Sequence, residues 1–367
     1  MKKKIKIYIF HPFSRFGGAD LSISRLINGL NKQKYSIEFI TLNNPIINKY
    51  LKKKIKITII NKKKTIFSIF QIRMHLINER KINKYKKYIF LSNQNFANVI
   101  SFFITYKLQW IKKVLIERNH IDEFKYENNI IRKFKNLFIK IGIKLLYKHA
   151  DRVIGISKNL SKDLSHYTDT KVTTIYNPAY DPSILQKTVK IKKHGHKIIL
   201  NVARLENQKN HFMLLRAFKI VSQKIHAKLF IIGYGSQEKK IKHFIKFNNL
   251  EKDVFIIKNQ INNFNYYKIA DLFVLTSNYE GFGNVLVEAG TFKLPIISTN
   301  CKSGPSEILG NGKYGSLIAL NDHEKLAKTI IAKLNKKDKK NILLYKSLSR
   351  FSLKNHIKLY ERIFDTI

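Results

Sequence analysis

Residues 272–289 read LFVLTSNYEGFGNVLVEA, an apolar run followed by a glycine-containing turn and the start of a helical pattern. The run at 272–276 is short and continuous, which is typical of a strand buried on both faces of a parallel sheet. The pattern from Asn284 to Ala289 is that of a helix start. This stretch therefore predicts a strand, a loop and a helix in succession, the building unit of α/β folds.

The same alternation of strand and helix runs through the whole chain. Segments between the apolar runs are polar or helix-periodic, which favours two α/β domains with parallel sheets. We place these domains at residues 1–180 and 181–345, with a linker candidate near 177–196, and the last segment, 345–367, is helical in pattern. The predicted strands are 5–10, 37–42, 56–60, 88–91, 113–117 and 152–156 in the first half, and 197–204, 227–233, 254–257, 272–276 and 294–299 in the second.

The composition bounds the class of protein. With 367 residues and 44% hydrophobic content, the chain is long enough for two packed cores, and disorder is disfavoured. The single cysteine, Cys301, excludes an internal disulfide framework and fits a reducing compartment. No stretch approaches the roughly 20 apolar residues that a membrane-spanning helix needs. The opening MKKKIKIYIF has its apolar run interrupted by Lys6, so we expect a cytoplasmic protein.

The net charge of +46 is the strongest feature of the composition. It fits a polyanionic partner, either nucleic acid or an anionic membrane, or it reflects a compositional bias toward Lys, Ile and Asn. Only 11 of the 70 basic residues are Arg, on which base readout depends, and this weighs against nucleic acid. Residues 1–180 carry 37 Lys and Arg against 10 Asp and Glu, a net +27, compared with +19 for residues 181–367. The first half is thus the more basic one, which fits a ligand held at a membrane.

Ligands of parallel α/β sheets bind at the carboxyl ends of the strands, so the loops there hold the candidate sites. Arg204 and Lys209 fall on one such loop, where two cations would clamp a diphosphate. On charge alone, two solvated basic residues would be the simpler interpretation. Gly233 follows the next strand and either approaches a nucleotide or forms a plain tight turn. Gly17 and Gly18 open a helix after the first strand, a weak phosphate or sugar signal that lacks the G-x-G-x-x-G pattern of NAD sites.

Glu280 and Glu288 belong to the loop and the helix of the opening stretch. Glu280 lies in the loop and Glu288 about two turns into the helix, and each carboxylate can accept hydrogen bonds from a sugar or ribose diol. The backbone N–H groups of Gly281 to Asn284 are available to a phosphate or sugar oxygen at the helix start. For an arbitrary pair of Glu residues, a favourable helix-dipole contact and an exposed helical side chain would be the simpler interpretation.

Taken together, these motifs resemble the retaining glycosyltransferases of family 4, which have the GT-B fold. The resemblance covers most of the chain, from Lys4 to about Leu320, and its most specific part is the acidic pair together with the basic pair. The matching motifs are the glycine loop Gly17-Gly18, the segment Glu117-Arg118-Asn119-His120, the basic pair Arg204 and Lys209, the acidic pair Glu280 and Glu288, and Gly304-Pro305-Ser306-Glu307-Ile308 with Tyr314-Gly315.

For the donor, the resemblance implies a nucleoside-diphosphate sugar, with a UDP-sugar expected. Arg204 and Lys209 would hold its diphosphate, and Glu288 would accept hydrogen bonds from the ribose hydroxyls. The remaining candidates for donor binding are Gly17, Gly18, Gly233, Gly283, Asn284 and Val285.

For catalysis, the resemblance implies that Glu280 and His120 lie at the transferred sugar and that no protein nucleophile is needed. The acceptor attacks the face from which the nucleoside diphosphate leaves, and positive charge around that diphosphate replaces a metal. No metal-ligand cluster is visible in the sequence, so we expect neither a metal nor a cofactor. Asp20 stands where the family often has Glu, and Ala203 where it has Gly or Ser. Both are mild departures.

The resemblance also implies an architecture and an activity. The expected fold is α/β, GT-B, with two Rossmann-like domains facing across a cleft and with residues 346–367 returning to the first, acceptor-side domain. The expected reaction moves a hexose or N-acetylhexosamine to a lipid-linked or saccharide acceptor in bacterial cell-surface polysaccharide or lipopolysaccharide synthesis. The alternatives are a GT-B sugar-nucleotide epimerase and a non-catalytic basic protein that binds polyanions.

Residues 130–149 raise the question of a membrane partner. Such a helix either lies on an anionic membrane or packs its apolar stripe against the sheet, and the second interpretation is favoured. The basic first half nevertheless leads us to expect a weak, peripheral association with an anionic membrane, and no nucleic acid. The stripe of the predicted helix consists of Ile130, Phe134, Leu137, Phe138, Ile141 and Leu145.

Overall fold

The structure is a computed structural model, and it describes two compact α/β units. The first unit comprises Met1–Pro178 and Leu353–Ile367, and the second comprises Ala179–Ser352. The described residues are 4–13, 17–52, 54–126, 130–188, 195–258, 263–336 and 341–367.

The first unit is built on a seven-stranded sheet in which every neighbouring pair is parallel, in the order β3-β2-β1-β4-β5-β6-β7. All six strands predicted for this half are confirmed, and the three-residue edge strand β7 was not predicted. The strands are β1 (Ile5–Phe10), β2 (Tyr35–Thr41), β3 (Lys56–Ile59), β4 (Lys87–Asn93), β5 (Ile111–Glu117), β6 (Arg152–Gly155) and β7 (Val172–Thr174).

Helices cover both sides of this sheet. The helices of the first half are α1 (Gly18–Gly29), α2 (Ile69–Ile82), α3 (Asn95–Ile104), α4 (Ile130–Leu146) and α5 (Lys158–Thr168). From β1 to β3, each new strand is added on one side of β1, and from β4 to β7 each new strand is added on the opposite side. Because connections between parallel strands are right-handed, α1 lies on one side of the sheet and α2 to α5 lie on the other.

Helix α4 corrects one expectation from the sequence. The stripe that was favoured to pack on the sheet instead faces outward, and its residues are exposed by 43–69%. The side that packs inward carries Ile139 and Ile143, which are 3% and 1% exposed. The sequence contains two apolar faces on one helix, and the more continuous of the two is the one that does not meet the core.

The second unit is built on a six-stranded sheet, again parallel throughout, in the order β10-β9-β8-β11-β12-β13. All five strands predicted for this half are confirmed, and the short edge strand β13 was not predicted. The strands are β8 (Lys197–Val202), β9 (Ala227–Ile232), β10 (Val254–Ile257), β11 (Leu272–Leu275), β12 (Ile296–Thr299) and β13 (Ser316–Ile318).

The helices of the second unit pack their apolar faces on this sheet. Its core includes Leu214, Phe218 and Ile330 from α6 and α11, together with Leu229 and Val274 from the strands. The helices are α6 (His211–Ser222), α7 (Glu238–Phe247), α8 (Phe264–Ile269), α9 (Asn284–Thr291), α10 (Pro305–Ile308), α11 (His323–Asn335) and α12 (Ile342–Ser347).

The last predicted helix, 345–367, is divided in two. Helix α12 is followed by a 3₁₀ turn at Leu348–Phe351, and α13 (Leu353–Thr366) begins after Ser352, whose backbone is extended. Helix α13 contacts α1 and belongs to the first unit, as the fold prediction required. Of the linker candidate, Pro182–Lys187 form a 3₁₀ turn, and residues 189–194 lie outside the described residues.

Among the described residues, no helix combines the length and the apolar character that crossing a bilayer would require.

Candidate functional site

Two loops at the carboxyl ends of neighbouring strands, β8 and β11, form the centre of the candidate site in the second unit. The backbone N–H of Asn278 donates to the carbonyl of Gln208 at 2.8 Å, and the Gln208 side chain donates to the carbonyl of Tyr279 at 2.9 Å. Thr276 Oγ1 donates to the carbonyl of Lys209 at 2.9 Å. The two loops are thus fixed to each other, and residues far apart in the sequence become neighbours.

The closest of these neighbours are Lys209 and Glu280. Lys209 Nζ lies 2.5 Å from Glu280 Oε1, and Ser277 Oγ donates to the same oxygen at 2.6 Å. Both side chains are largely buried, and a buried carboxylate requires such partners. Within the described part of the chain, no group donates to Oε2 of Glu280. The second oxygen of this carboxylate is therefore available to an external donor.

Arg204 follows β8 directly and is exposed. Its Nη2 donates to Gln208 Oε1 at 3.3 Å, which leaves most of the guanidinium donors to solvent. The loop that carries Arg204 lies against the loop after β9, where a Cβ on Gly233 would be 1.9 Å from the carbonyl oxygen of Ala203. Gly233 is therefore required for the close approach of these two loops.

The loop after β11 ends at Gly283, which has a φ of +96°. Such a φ favours glycine, and it turns the chain sharply into α9. Asn284 and Val285 form the first turn of α9, where N–H groups point out of the helix end. Gly304 supports the loop from the other side, because its Cβ would lie 1.9 Å from the carbonyl oxygen of Phe282.

Glu288 lies on α9 and is held by a residue that the sequence analysis did not identify. Tyr267 Oη donates to Glu288 Oε2 at 2.9 Å. The Tyr267 ring is buried between Phe273 and Phe292, with centroids at 5.7 and 5.5 Å and near-parallel planes. Burial, together with the nearby Glu288 carboxylate, raises the pKa of Tyr267 well above its usual value, so the hydroxyl stays a donor. The two positions are 21 residues apart, and the sequence pattern gave no signal of this contact.

Cys301 lies beneath the same loops. It is buried, and burial together with the carboxylate of Glu280 raises the pKa of its thiol to about 12. The thiol is therefore protonated at neutral pH and is an inert part of the packing.

In the first unit, Gly17 and Gly18 open α1 at the carboxyl end of β1. Asp20 holds this turn, because its Oδ2 accepts the backbone N–H of Gly17 at 3.1 Å. The other oxygen of Asp20 is 3.2 Å from His11 Nε2, and His11 Nδ1 is 2.9 Å from Asn93 Nδ2. The glycine loop is thus tied to the end of β4.

Arg118 completes this buried network after β5. Its Nε donates to Asn93 Oδ1, and its Nη1 donates to Asn177 Oδ1 at 2.9 Å. Since Asn93 accepts from Arg118, its amide nitrogen must donate to His11. The network therefore assigns His11 as the neutral tautomer with the proton on Nε2, donating to Asp20. Burial lowers the pKa of Arg118, and its amide partners compensate with hydrogen bonds.

His120 follows the end of β5, at the same edge of the sheet. It is 4% exposed, and its Nε2 lies 2.7 Å from Asp163 Oδ2 on α5. Nearby, burial raises the pKa of Glu117 to about 7, although Tyr147 Oη donates to its carboxylate at 2.8 Å. The carboxylate of Asp163 orients the His120 ring.

A cluster of Glu38, His75 and Glu79 lies away from these loops, with donor atoms within 4.8 Å of one another. Lys6 Nζ lies 2.8 Å from Glu38, and Lys56 Nζ lies 2.7 Å from Glu79. Burial disfavours ionised Glu38, but hydrogen bonds that include those from His75 and Lys6 outweigh it and lower its pKa to about 2. With two ammonium groups already on the carboxylates, this cluster is an ion-pair network rather than a metal site.

The candidate residues therefore fall into two groups, each within one unit. Roles for these residues stay predictions. The group at the carboxyl ends of β1 and β5 is Gly17, Gly18 and His120, and the group at the carboxyl ends of β8, β9 and β11 is Arg204, Lys209, Gly233, Glu280, Gly283, Asn284, Val285 and Glu288.

The second unit is similar in sequence to known glycosyltransferases. Residues 184–350 match the family of glycosyl transferases group 1. An uncharacterized glycosyltransferase of Methanocaldococcus jannaschii is 36% identical over 197 residues, which are 50% of this chain and 48% of that protein. A Campylobacter jejuni enzyme, N-acetylgalactosamine-N,N'-diacetylbacillosaminyl-diphospho-undecaprenol 4-alpha-N-acetylgalactosaminyltransferase, is 32% identical over 196 residues, 53% of each chain. The chain thus spans about half the length of these two relatives.

Other similarities extend over most of the chain. The amylovoran biosynthesis glycosyltransferase AmsD of Erwinia amylovora is 25% identical over 316 residues, 84% of each protein. A glycosyltransferase of Rickettsia africae has a similar structure, with a TM-score of 0.77, 19% identity and coverage of 99% and 98%. Anabaena HepE, whose structure was solved in complex with UDP, gives a TM-score of 0.79 at 16% identity, with coverage of 99% and 100%. The fold is GT-B, as predicted, and residues 184–350 match a glycosyltransferase family.

Proposed function

We propose that this chain is a retaining glycosyltransferase of family 4 that transfers a hexose or N-acetylhexosamine from a UDP-sugar. The acceptor would be lipid-linked or a saccharide, in the synthesis of bacterial cell-surface polysaccharide or lipopolysaccharide. The observation that carries the proposal is the pair Lys209–Glu280, joined at 2.5 Å within a domain that matches the glycosyl transferases group 1 family. The names of the relatives from Campylobacter jejuni and Erwinia amylovora support the type of pathway.

The basic residues provide the chemistry of the leaving group. Lys209 donates one N–H to Glu280 and has two more for a phosphate oxygen, while exposed Arg204 offers a planar set of donors on the same loop. These cations act most strongly when the sugar–oxygen bond breaks, because charge then accumulates on the diphosphate. We propose that they make a metal and a cofactor unnecessary.

The two carboxylates have separate tasks in this proposal. Glu280 accepts a hydrogen bond from a hydroxyl of the transferred sugar through Oε2, since Oε1 already accepts hydrogen bonds from Lys209 and Ser277. Glu288 accepts hydrogen bonds from the ribose hydroxyls, and the hydrogen bond from Tyr267 fixes the rotamer of Glu288. The N–H groups of Gly283, Asn284 and Val285 bind oxygens of the sugar or phosphate at the start of α9.

The first unit would bind the acceptor. We propose that His120, held by Asp163, binds a sugar hydroxyl near the reacting centre. We propose that no protein nucleophile takes part and that the acceptor attacks the face from which the diphosphate departs. An oxocarbenium-like state is then stabilised by the leaving diphosphate and its cations.

A panel of UDP- and GDP-sugars, screened by the shift in melting temperature, tests the proposal. We expect stabilisation by one nucleotide class, and its loss in Glu288→Ala but not in Glu251→Ala, an exposed Glu in a loop of the same unit. If no nucleotide shifts the melting temperature, the chain is not a transferase of this kind. A polyanion-binding protein would instead respond equally to all phosphorylated ligands and would be unaffected by Glu288→Ala.

A further inference from the structure

Helix α4 has two apolar faces, and one of them is exposed. The inward face carries Ile139, Gly142 and Ile143, which are buried. The residues of the other face lie within an arc of about 120° on a helix of 100° per residue. We name this exposed set the α4 outer face: Ile130 (64% exposed), Ile131 (75%), Phe134 (69%), Leu137 (53%), Phe138 (43%), Ile141 (50%) and Leu145 (54%).

Lysines border the α4 outer face. Lys133, Lys140 and Lys144 form a row along one border, and Lys133 and Lys144 are exposed. The helix sequence IIRKFKNLFIKIGIKLL contains no Asp or Glu. The outer face therefore presents apolar carbon and ammonium groups, with almost no directional polar group that could specify a protein partner.

A second exposed apolar set lies on the same side of the sheet. Phe67, in the 3₁₀ turn before α2, and Phe70, in the first turn of α2, are 62% and 71% exposed, and they follow the basic run Lys62 to Lys64. Helices α2 and α4 both follow strands that end at the edge of the sheet where His120 lies, and α3 contacts both. Monomeric proteins rarely leave so many aromatic and aliphatic side chains in water.

We propose that this side of the first unit docks on an anionic lipid surface. The apolar side chains of the α4 outer face enter the boundary between headgroups and acyl chains, and the flanking lysines contact lipid phosphates. The net charge of +27 over residues 1–180 complements such a surface. This inference rests on the proposed function for its purpose, because a lipid-linked acceptor would then be presented at the edge of the sheet that carries Gly17, Gly18 and His120.

Flotation of the protein with vesicles tests the inference without an assay of activity. Wild type should float with vesicles of equal parts phosphatidylglycerol and phosphatidylcholine at low salt, and much less with phosphatidylcholine alone. The triple variant Phe134→Ser, Leu137→Ser, Ile141→Ser should bind the anionic vesicles at least about tenfold more weakly. The matched control is Phe247→Ser, which replaces a 79% exposed Phe of the second unit and should float as wild type does.

The electrostatic part is tested by a second pair of variants. Lys133→Gln with Lys144→Gln should weaken binding several-fold, whereas Lys239→Gln with Lys240→Gln, an exposed pair on α7, should not. Absence of wild-type flotation, or equal flotation of the triple variant, would overturn the proposal. So would a dimer in solution that the triple variant dissociates, if vesicles fail to bind. Nucleotide-dependent melting shifts, measured on the same variants, separate this outcome from failure of the proposed function.

Discussion

The two units share one architecture but place their polar residues differently. In the second unit, the candidate residues lie on loops and on α9, and Arg204 is exposed while Lys209 and Glu280 form a largely buried pair. In the first unit, the equivalent edge of the sheet is closed by a buried network that runs from Arg118 to Asp20. The same sheet edge thus carries an exposed cation and a largely buried ion pair in one unit and a buried hydrogen-bond network in the other.

The family match also distinguishes the two units. The glycosyl transferases group 1 family covers residues 184–350, which lie in the second unit. Three experiments test this comparison between the two units.

The largest effect is expected on the loops of the second unit. Arg204→Ala should lower the transfer rate about 100-fold, because a cation at the leaving diphosphate is lost, and should leave the melting temperature unchanged because the side chain is exposed. Initial rates with the UDP-sugar selected by melting shift provide the measurement. Arg216→Ala on α6, also exposed, serves as the control. Equal rates in both variants would remove Arg204 from the site.

The first unit should respond to acid through His356, a buried residue of α13. Burial, with a smaller effect of Arg118 and Arg25, lowers the pKa of His356 to about 3, although Nδ1–H donates to the carbonyl of Tyr176. The folded state therefore binds fewer protons than the unfolded state below pH 6.5, and stability is lost as the pH falls from 6.5 toward 3. From pH 6.5 to 5 we expect a loss of roughly 2 kcal/mol.

Trp110, the single tryptophan, lies in the first unit and reports its unfolding in urea. The free energy of unfolding of wild type should fall over this pH range, and that of His356→Gln should fall less. Glu38, whose pKa is lowered to about 2, adds a loss in the same direction only below its ordinary pKa of 4.5. An equal loss in wild type and variant would show that His356 does not govern the acid response.

The smallest effect is expected from Tyr267→Phe. This change removes the hydrogen bond to Glu288 and keeps the stacking on Phe273 and Phe292. The KM for the donor should rise about fivefold, with little change in kcat, because the carboxylate loses its fixed rotamer. Tyr266→Phe, at the adjacent position, should keep the KM of wild type. If both variants behave alike, Glu288 needs no anchor or does not bind the ribose.

Most of the fold was predictable from the sequence because buried parallel strands are continuous apolar runs. The strands at 5–10 and 254–257 match the prediction at both ends. Strands β7 and β13 were missed, since each has three residues at the edge of its sheet and too few apolar positions to give a pattern. The break at Ser352 was missed because apolar spacing continues from α12 into α13.

The candidate site was predictable where a loop carries its own chemistry. Arg204 and Glu280 were identified as candidates because each is a charged residue that follows a predicted strand. Tyr267 and Asp163 were not identified from the sequence. Their partners, Glu288 and His120, are distant in sequence, and the contacts exist only in the folded units. Helix α4 shows the opposite limit, since spacing identifies an apolar stripe but does not say which of two stripes meets the core.

The buried Cys301 gives the second unit a built-in probe of motion. Thiol reagents attack the thiolate, and this thiol is 2% exposed with a pKa raised to about 12 by burial and by Glu280. Chemical labelling must therefore wait until the surrounding loops open. Because the chain has one cysteine, the rate of labelling would report the rate of opening at this position, with no contribution from other thiols.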